Sequence, residues 1–100
     1  MAIAEDPEGI EKTALLEMVD FTDRRVLEIG CGDGRLTWLY ADQAAHVTGI
    51  DPDSEEIETA RANLPDRLNG RANFIPSTIE DFARSGSARR FDIAIFAWSL

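Results

Sequence analysis

The sequence predicts a doubly wound α/β fold: a parallel sheet with helices on both faces, three layers deep as α/β/α. Three observations carry that reading. Helical and strand patterns alternate along the chain in the order α-β-α-β-α-β-α-β, and strands separated by helices pair in parallel through right-handed crossovers. The run "RRVLEIG" reads as a buried strand, and "FDIAIFAW" is apolar enough to be buried on both faces, as a sheet covered on two sides requires. The first strand also ends in a glycine-rich turn, Gly30-Cys31-Gly32-Asp33-Gly34, that leads straight into a helical pattern.

The elements follow in order. Asp6-Pro7 is expected to open the first helix, because Asp caps free N–H groups and Pro fits a first turn. Ile10, Ala14 and Met18, with Leu15 and Val19 beside them, place an apolar stripe at helical spacing. The strand "RRVLEIG" and the glycine turn come next, followed by a helix over "RLTWLYADQAA" with Leu36, Leu39 and Tyr40 on one side. "HVTGI" reads as the second strand and ends at Asp51. "DSEEIETARANL" is a strong helix: Asp53 and Glu56 make a capping-box-like start, and Pro65 closes the end. Ala72 to Ile75 is a third strand, and "TIEDFARSG" a short helix ending at Gly86. "SGSARR" is a loop, with "FDIAIFAW" as the fourth strand. The stretch holds no internal repeat and no low-complexity segment.

The chain has 100 residues, the length of one small domain. It stops at "FAWSL", at or just after its most apolar strand, with no following helix to cover that strand's far side. Residues 1–100 are therefore expected to be the N-terminal, cofactor-binding part of a larger domain, a complete four-strand minidomain being the alternative. Apolar residues make up 44%, so a packed core is within reach and disorder is not expected. No run approaches the roughly 18 apolar residues of a membrane span, and the acid-bearing start "MAIAEDPEGIEK" does not read as a secretory leader. Cys31 is the sole cysteine, so neither an internal disulfide nor a cysteine metal cluster can form. The expected setting is cytoplasmic, with no metal. A net charge of −9 argues against a nucleic-acid or anionic-membrane binder, since phosphate attraction needs a basic face.

The glycine turn and Asp51 are the candidate site. Backbone N–H groups gather at a helix N-terminus after such a turn, and ligands in this fold lie at the carboxyl ends of strands. An acid about 20 residues after the first glycine, at the next strand's end, can accept hydrogen bonds from both ribose hydroxyls. Asp51 stands there, so the pair points to an adenosine-containing ligand. The dinucleotide fingerprint G-x-G-x-x-G does not fit, because Arg35 occupies the third glycine's place and Gly34 comes one residue early. Asp33 and Glu28 would also repel a pyrophosphate, and the phosphate-loop pattern G-x-x-x-x-G-K-[ST] is absent.

Glu28-Ile29-Gly30-Cys31-Gly32-Asp33-Gly34 after an apolar strand resembles the first motif, E-x-G-x-G-x-G, of class I S-adenosylmethionine-dependent methyltransferases of the small-molecule type. "VTGIDPD" resembles that family's second-strand acid motif and "FDIAIFAWSL" its fourth strand, so the likeness runs from about Val19 to Leu100. The resemblance implies a Rossmann-like fold, S-adenosylmethionine as cofactor, and methyl transfer to a small-molecule acceptor. S-adenosylmethionine carries a sulfonium, an ammonium and no phosphate, so acids near the turn suit it.

The resemblance also implies the site residues. Gly30, Cys31 and Gly32 bring backbone to the methionine part, and Glu28 orients the loop or reaches the amino group. Asp51 accepts both ribose hydroxyls, Pro52 flanks the adenine face, and Ala97 lines the site at the fourth strand's end. Many members bind the adenine amino group through an acid after the third strand. Thr78 stands at that position here, Ile79 follows as a backbone contact, and Glu80 is the substitute if the loop shifts by two. No catalytic base is named.

Other residues have plainer expectations. Cys31 is a small loop residue rather than a reactive thiol, His46 a surface residue, and Trp38 a packing residue. Trp98 divides between packing and lining the pocket, Asp92 is structural, and Arg35 balances nearby acids. "FAWSL" lacks the [DN]-P-P-[YFW] signature of amino-methylating nucleic-acid enzymes, which favours a small-molecule acceptor and no nucleic-acid partner. Two other readings stand beside the methyltransferase. A nicotinamide-dependent oxidoreductase half has Arg35 and Asp33 against it. A non-catalytic cofactor-binding fragment would carry an exposed fourth-strand edge prone to misfolding. Oligomeric state is not legible.

Overall fold

The computed structural model describes residues 19–86 and 90–97 in full and the backbone of residues 2–6. The chain runs β1 (Ala2–Asp6), β2 (Arg25–Ile29), α1 (Thr37–Tyr40), β3 (His46–Asp51), α2 (Ser54–Asn63), a 3-10 turn (Asp66–Leu68), β4 (Ala72–Pro76), α3 (Ile79–Arg84) and β5 (Ile93–Ala97). The expected helix over "PEGIEKTALLEM" and the expected roles of Trp98 fall outside the described residues.

All five strands form one parallel sheet in the order β1-β5-β2-β3-β4. The four anticipated strands are present. The fifth, β1, is not anticipated: Ala2–Asp6 pairs with β5 from Ala2 opposite Ile93 to Asp6 opposite Ala97. "AIAED" is too short and too acidic to announce a strand, and the partner that makes it one lies at the other end of the chain. The outer edge of β5, expected to be bare, is thus paired in parallel. Asp6, expected at a helix entry, is instead the last residue of β1.

Side-chain alternation along the strands splits the core into two halves. On one face Val26, Val47, Ala72, Ile93 and Ile95 pack with Phe21, Leu36, Tyr40, Ala44 and Leu68, while Phe74 meets Ile57 and Ala60 of α2. On the other face Leu27, Ile50 and Ala94 pack against Phe82 of α3. Helices therefore lie on both faces, giving the anticipated α/β/α layering. The rings of Phe21 and Tyr40 stack at 4.3 Å, and Trp38 meets Phe74 edge-on at 5.7 Å, so Trp38 is a packing residue.

Helix boundaries follow local chemistry. Asp53 caps α2 by accepting from the amides of Glu55 (3.0 Å) and Glu56 (3.3 Å), which satisfies two orphan donors of the first turn. The helix stops at Leu64, whose backbone is extended (ψ 117°) because Pro65 follows it. Helix α1 is much shorter than expected. The amide of Gln43 turns tightly back to the Tyr40 carbonyl, and Ala45 donates to Arg24 at 2.8 Å. The chain must unwind there to bring His46 beside Arg25 in the sheet. The start of β5 is held by Asp92, whose amide donates to the Arg25 carbonyl (2.8 Å) and whose Oδ2 accepts from the Arg25 amide (3.0 Å), the structural role anticipated for it.

Candidate functional site

The glycine turn is suspended from the ends of β3 and β5. Gly30 and Cys31 both donate their amides to the Ile50 carbonyl, at 2.8 and 3.1 Å. Gly30 has φ +79°, and a Cβ there would run into the carbonyl oxygen of Ala97. Only glycine lets the turn close so near β5. Gly34, at φ +91°, has no room for a Cβ either, because the Trp38 ring lies against it. Gly49, which the pattern did not single out, makes space inside β3 for the Phe74 ring and the Cys31 sulfur.

Asp51 joins the turn to the following helix entry. Its Oδ2 accepts from the Gly32 amide at 3.0 Å and its Oδ1 from the Asp53 amide at 2.9 Å. A carboxylate offers about four acceptor sites. Each oxygen therefore keeps one site in hand, and the group is held in place by backbone on both sides. The side chain is half-buried.

Beside Asp51 lies a cleft of about 250 Å³ lined by Ile29, Gly30, Ile50, Pro52, Ser77, Thr78, Ile79 and Glu80. It opens at the carboxyl ends of β2, β3 and β4, the side of a parallel sheet where ligands bind. Gly30, Pro52, Thr78 and Ile79, all singled out from sequence, meet in its wall. Gly32 and Asp51 stand next to it, joined by their hydrogen bond, and Ala97 lies under the turn. Ile29, Ile50 and Ser77 were missed. Apolar strand residues and a lone serine carry no signal until the fold turns them to a common cleft.

Two residues sit differently from their nominal places. The Thr78 hydroxyl is the N-cap of α3, where it accepts from the Asp81 amide at 3.1 Å. That bond uses acceptor capacity, while Glu80 lines the same cleft from an exposed position. Glu28 is fully buried beneath the turn. Its Oε1 accepts from Thr37 Oγ1 at 2.9 Å and from the Tyr40 hydroxyl at 2.6 Å. The carboxylate thus ties β2 to α1 from behind the glycine turn. Burial, then the adjacent Glu28 charge, pushes the Tyr40 phenol well above its ordinary range.

The other acid of the turn is neutralised locally. Asp33 meets Arg35 through its side chain at 3.0 Å and also accepts from the Arg35 amide at 3.2 Å. The Arg35 side chain, foremost by its hydrogen bonds, holds the Asp33 carboxyl below its usual range, as the balancing role expected for Arg35 requires. Cys31 is buried, and burial followed by the charges of Glu28 and Asp51 drives its thiol far up. A thiol so placed stays protonated and is no nucleophile. Asp51 and Glu80 therefore supply the negative charge at the cleft. Among the described residues no set of His, Cys, Asp and Glu side chains clusters as a metal site, and no helix is long and apolar enough to cross a membrane.

Residues 26–100 match a family described as a methyltransferase domain. A ubiquinone biosynthesis O-methyltransferase of Actinobacillus pleuropneumoniae serotype 5b is 38% identical over 74 residues, covering 70% of this chain and 31% of that protein. A malonyl-[acyl-carrier protein] O-methyltransferase of a Paenibacillus species is 32% identical over 83 residues, covering 77% of this chain and 30% of that protein. The chain thus spans about a third of the length of these relatives. Among solved structures, an S-adenosylmethionine-dependent methyltransferase from Mesorhizobium loti superposes with a TM-score of 0.64 at 23% identity, over 87% of this chain and 38% of that one. That superposition establishes the Rossmann-like fold.

Proposed function

Because this chain belongs to the methyltransferase-domain family, we propose that its cleft takes the adenosyl part of S-adenosylmethionine, and that the protein transfers a methyl group to a small-molecule acceptor. The observation that carries the reading is Asp51: a carboxylate fixed by two backbone amides, with one acceptor site left on each oxygen, beside a cleft suited to a flat apolar group. A ribose diol needs two such acceptors. Ile29, Ile50, Pro52 and Ile79 offer the adenine an apolar slot, and Glu80 is the acid within reach of its amino edge. Thr78, already capping α3, has its hydroxyl proton left to offer a ring nitrogen.

Gly30, Cys31 and Gly32 form the floor for the methionine part, with Ala97 beneath. Glu28 works from behind: it positions α1 and the turn rather than touching the ligand. The residues present fit the cofactor's charge, since Asp51 and Glu80 attract a cation and, among the described residues, no basic side chain lines the cleft. When bound, the sulfonium supplies an activated methyl group. The chain's contribution is to hold that group in line with an O, N, S or C nucleophile, where orientation alone is worth several kcal/mol, about 7 or more in favourable cases.

The relatives' names, O-methyltransferases of ubiquinone biosynthesis and of a malonyl carrier, support a small organic acceptor. The net charge of −9 speaks against nucleic acid, and a cytoplasmic setting accords with the single buried thiol. Calorimetric titration with S-adenosylmethionine and, separately, with NAD tests the reading. Saturable heat from the first alone is expected. Heat from NAD and none from S-adenosylmethionine would overturn it in favour of an oxidoreductase half.

A further inference from the structure

At the amino ends of the same strands a second cleft of about 370 Å³ opens. Arg25 starts β2 and His46 starts β3, and the two are partners in the parallel register. Arg90, just before β5, lines the cleft with them. Phe82, Phe91 and Ile75 give it an apolar wall, and Thr48 Oγ1, bonded to Asn73 Oδ1 at 3.0 Å, joins two further lining residues. The volume falls within the range of small-molecule sites, as does the mixture of apolar wall and a few convergent polar groups.

The charge pattern is unusual for this chain. With 19 acids against 10 bases, arginines have acids to pair with, and several do: Arg35 with Asp33, Arg67 with Asp42, Arg84 with Asp81. Arg61 and Arg71 are spent on backbone carbonyls. Among the described residues the Arg25 and Arg90 side chains hold no carboxylate at ion-pair distance, although both line this cleft. The nearby acid, Asp92, turns Oδ2 onto the Arg25 amide instead. His46, the sole histidine, is half-buried and lies beside Arg25 on the neighbouring strand. Burial, and then the charge of Arg25, lowers its imidazole below the ordinary value.

We propose that this cleft binds a small organic anion, an apolar body ending in a carboxylate or a phosphate, with Arg25 and Arg90 holding the oxyanion and Phe82 and Phe91 packing the body. Guanidinium groups present paired donors that match both oxyanions. The site is separate from the one at the glycine turn. At about 3.3 Å per residue, the length of β2 puts it roughly 13 Å away, and the two clefts share no lining residue. A ligand there is an effector rather than the methyl acceptor. Helix α3 touches both clefts, Ile79 and Glu80 facing one and Phe82 the other, which gives the two sites a common element.

The test reads the His46 imidazole C–H resonances by NMR while inorganic phosphate or benzoate is added at constant ionic strength, with chloride as the reference. Saturable shifts are expected, together with a rise in the His46 pKa, because an anion offsets the Arg25 repulsion. Arg25→Gln and Arg90→Gln should each weaken the response about tenfold or more. Benzoate preferred over phosphate assigns a carboxylate end, and phosphate preferred over benzoate a phosphate end. Shifts no larger than with chloride overturn the proposal, as do equal shifts in the double variant when its circular dichroism matches the parent. The parent titration decides by itself if a variant does not fold. It needs no S-adenosylmethionine, so its outcome is independent of the cofactor assignment.

Discussion

Replacing Asp51 by alanine removes two acceptors that the backbone uses and two more that a ribose would use. The Gly32 and Asp53 amides each lose a charged partner at 2.9–3.0 Å. The Asp53 donor is exposed, so water recovers part of that loss, while Gly32 is buried; each bond is worth about 0.5–1.5 kcal/mol. Asp51→Ala should therefore destabilise the fold by about 1–3 kcal/mol, lowering Tm by about 4 °C or more for a domain of this size. Ligand binding loses hydrogen bonds to a charged acceptor, about 1.5–3 kcal/mol, or roughly 10- to 150-fold in Kd. Asp51→Asn removes the charge without removing the side chain. Its amide oxygen still accepts one backbone bond while its NH2 faces the other donor, so binding and stability both fall, with the charge lost but the shape kept. Calorimetry with S-adenosylmethionine, on protein shown to be folded at the working temperature, measures the first effect, and thermal melts the second. Unchanged affinity in both variants would remove Asp51 from the site. An unchanged Tm in Asp51→Ala would mean that the amide bonds to Gly32 and Asp53 hold nothing in place.

Glu28→Leu should cost about 2–4 kcal/mol in denaturant melts, because the buried Tyr40 and Thr37 hydroxyls lose their acceptor. Glu28→Gln, which keeps an acceptor oxygen, should cost clearly less, and equal losses would refute the hydrogen-bond account. Gly30→Ala combines a left-handed φ with a collision against the Ala97 carbonyl. It should lose at least about 1–3 kcal/mol and weaken cofactor binding, and a silent substitution there would show that the turn is free to shift. Tyr40 is the sole tyrosine, so alkaline titration watched by phenolate absorbance reports on it alone. Its folded pKa is raised, so its contribution is intact below the unfolded value near 10 and is lost as pH climbs above that. Phenolate should appear only together with unfolding, and a reversible titration near pH 10 in the folded protein would contradict its burial.

Several of these features were readable before any coordinates. The four anticipated strands depend on short apolar runs, and the α2 cap depends on Asp53 and residues two or three along. The pairing of the glycine turn with Asp51 depends on one strand-to-strand interval, and the bond from Gly32 to Asp51 closes that interval directly. Local chemistry also explains where the reading stopped short. An eleven-residue apolar-polar pattern supports a helix over "RLTWLYADQAA", but the sheet's need to pair Arg25 with His46 cuts it to Thr37–Tyr40. The sequence pattern places the Thr78 hydroxyl at the adenine edge, whereas its use as a helix cap depends on α3 starting immediately after it.

By itself the sequence determined the fold class, the chain order of β2, β3, β4 and β5 with the helices between them, and the place of the glycine turn, because each rests on residues within a strand, a turn or one crossover of each other. Tertiary structure alone decided the rest. It placed Ala2–Asp6 on the edge of β5, turned Glu28 inward to Tyr40 and Thr37, and gathered Arg25, His46 and Arg90 from three segments around one cleft. The physical reason is common to all three. A short strand and a buried charge gain their energy from partners that chain neighbours do not specify, a cleft takes its walls from separate segments, and only the closed sheet brings these together.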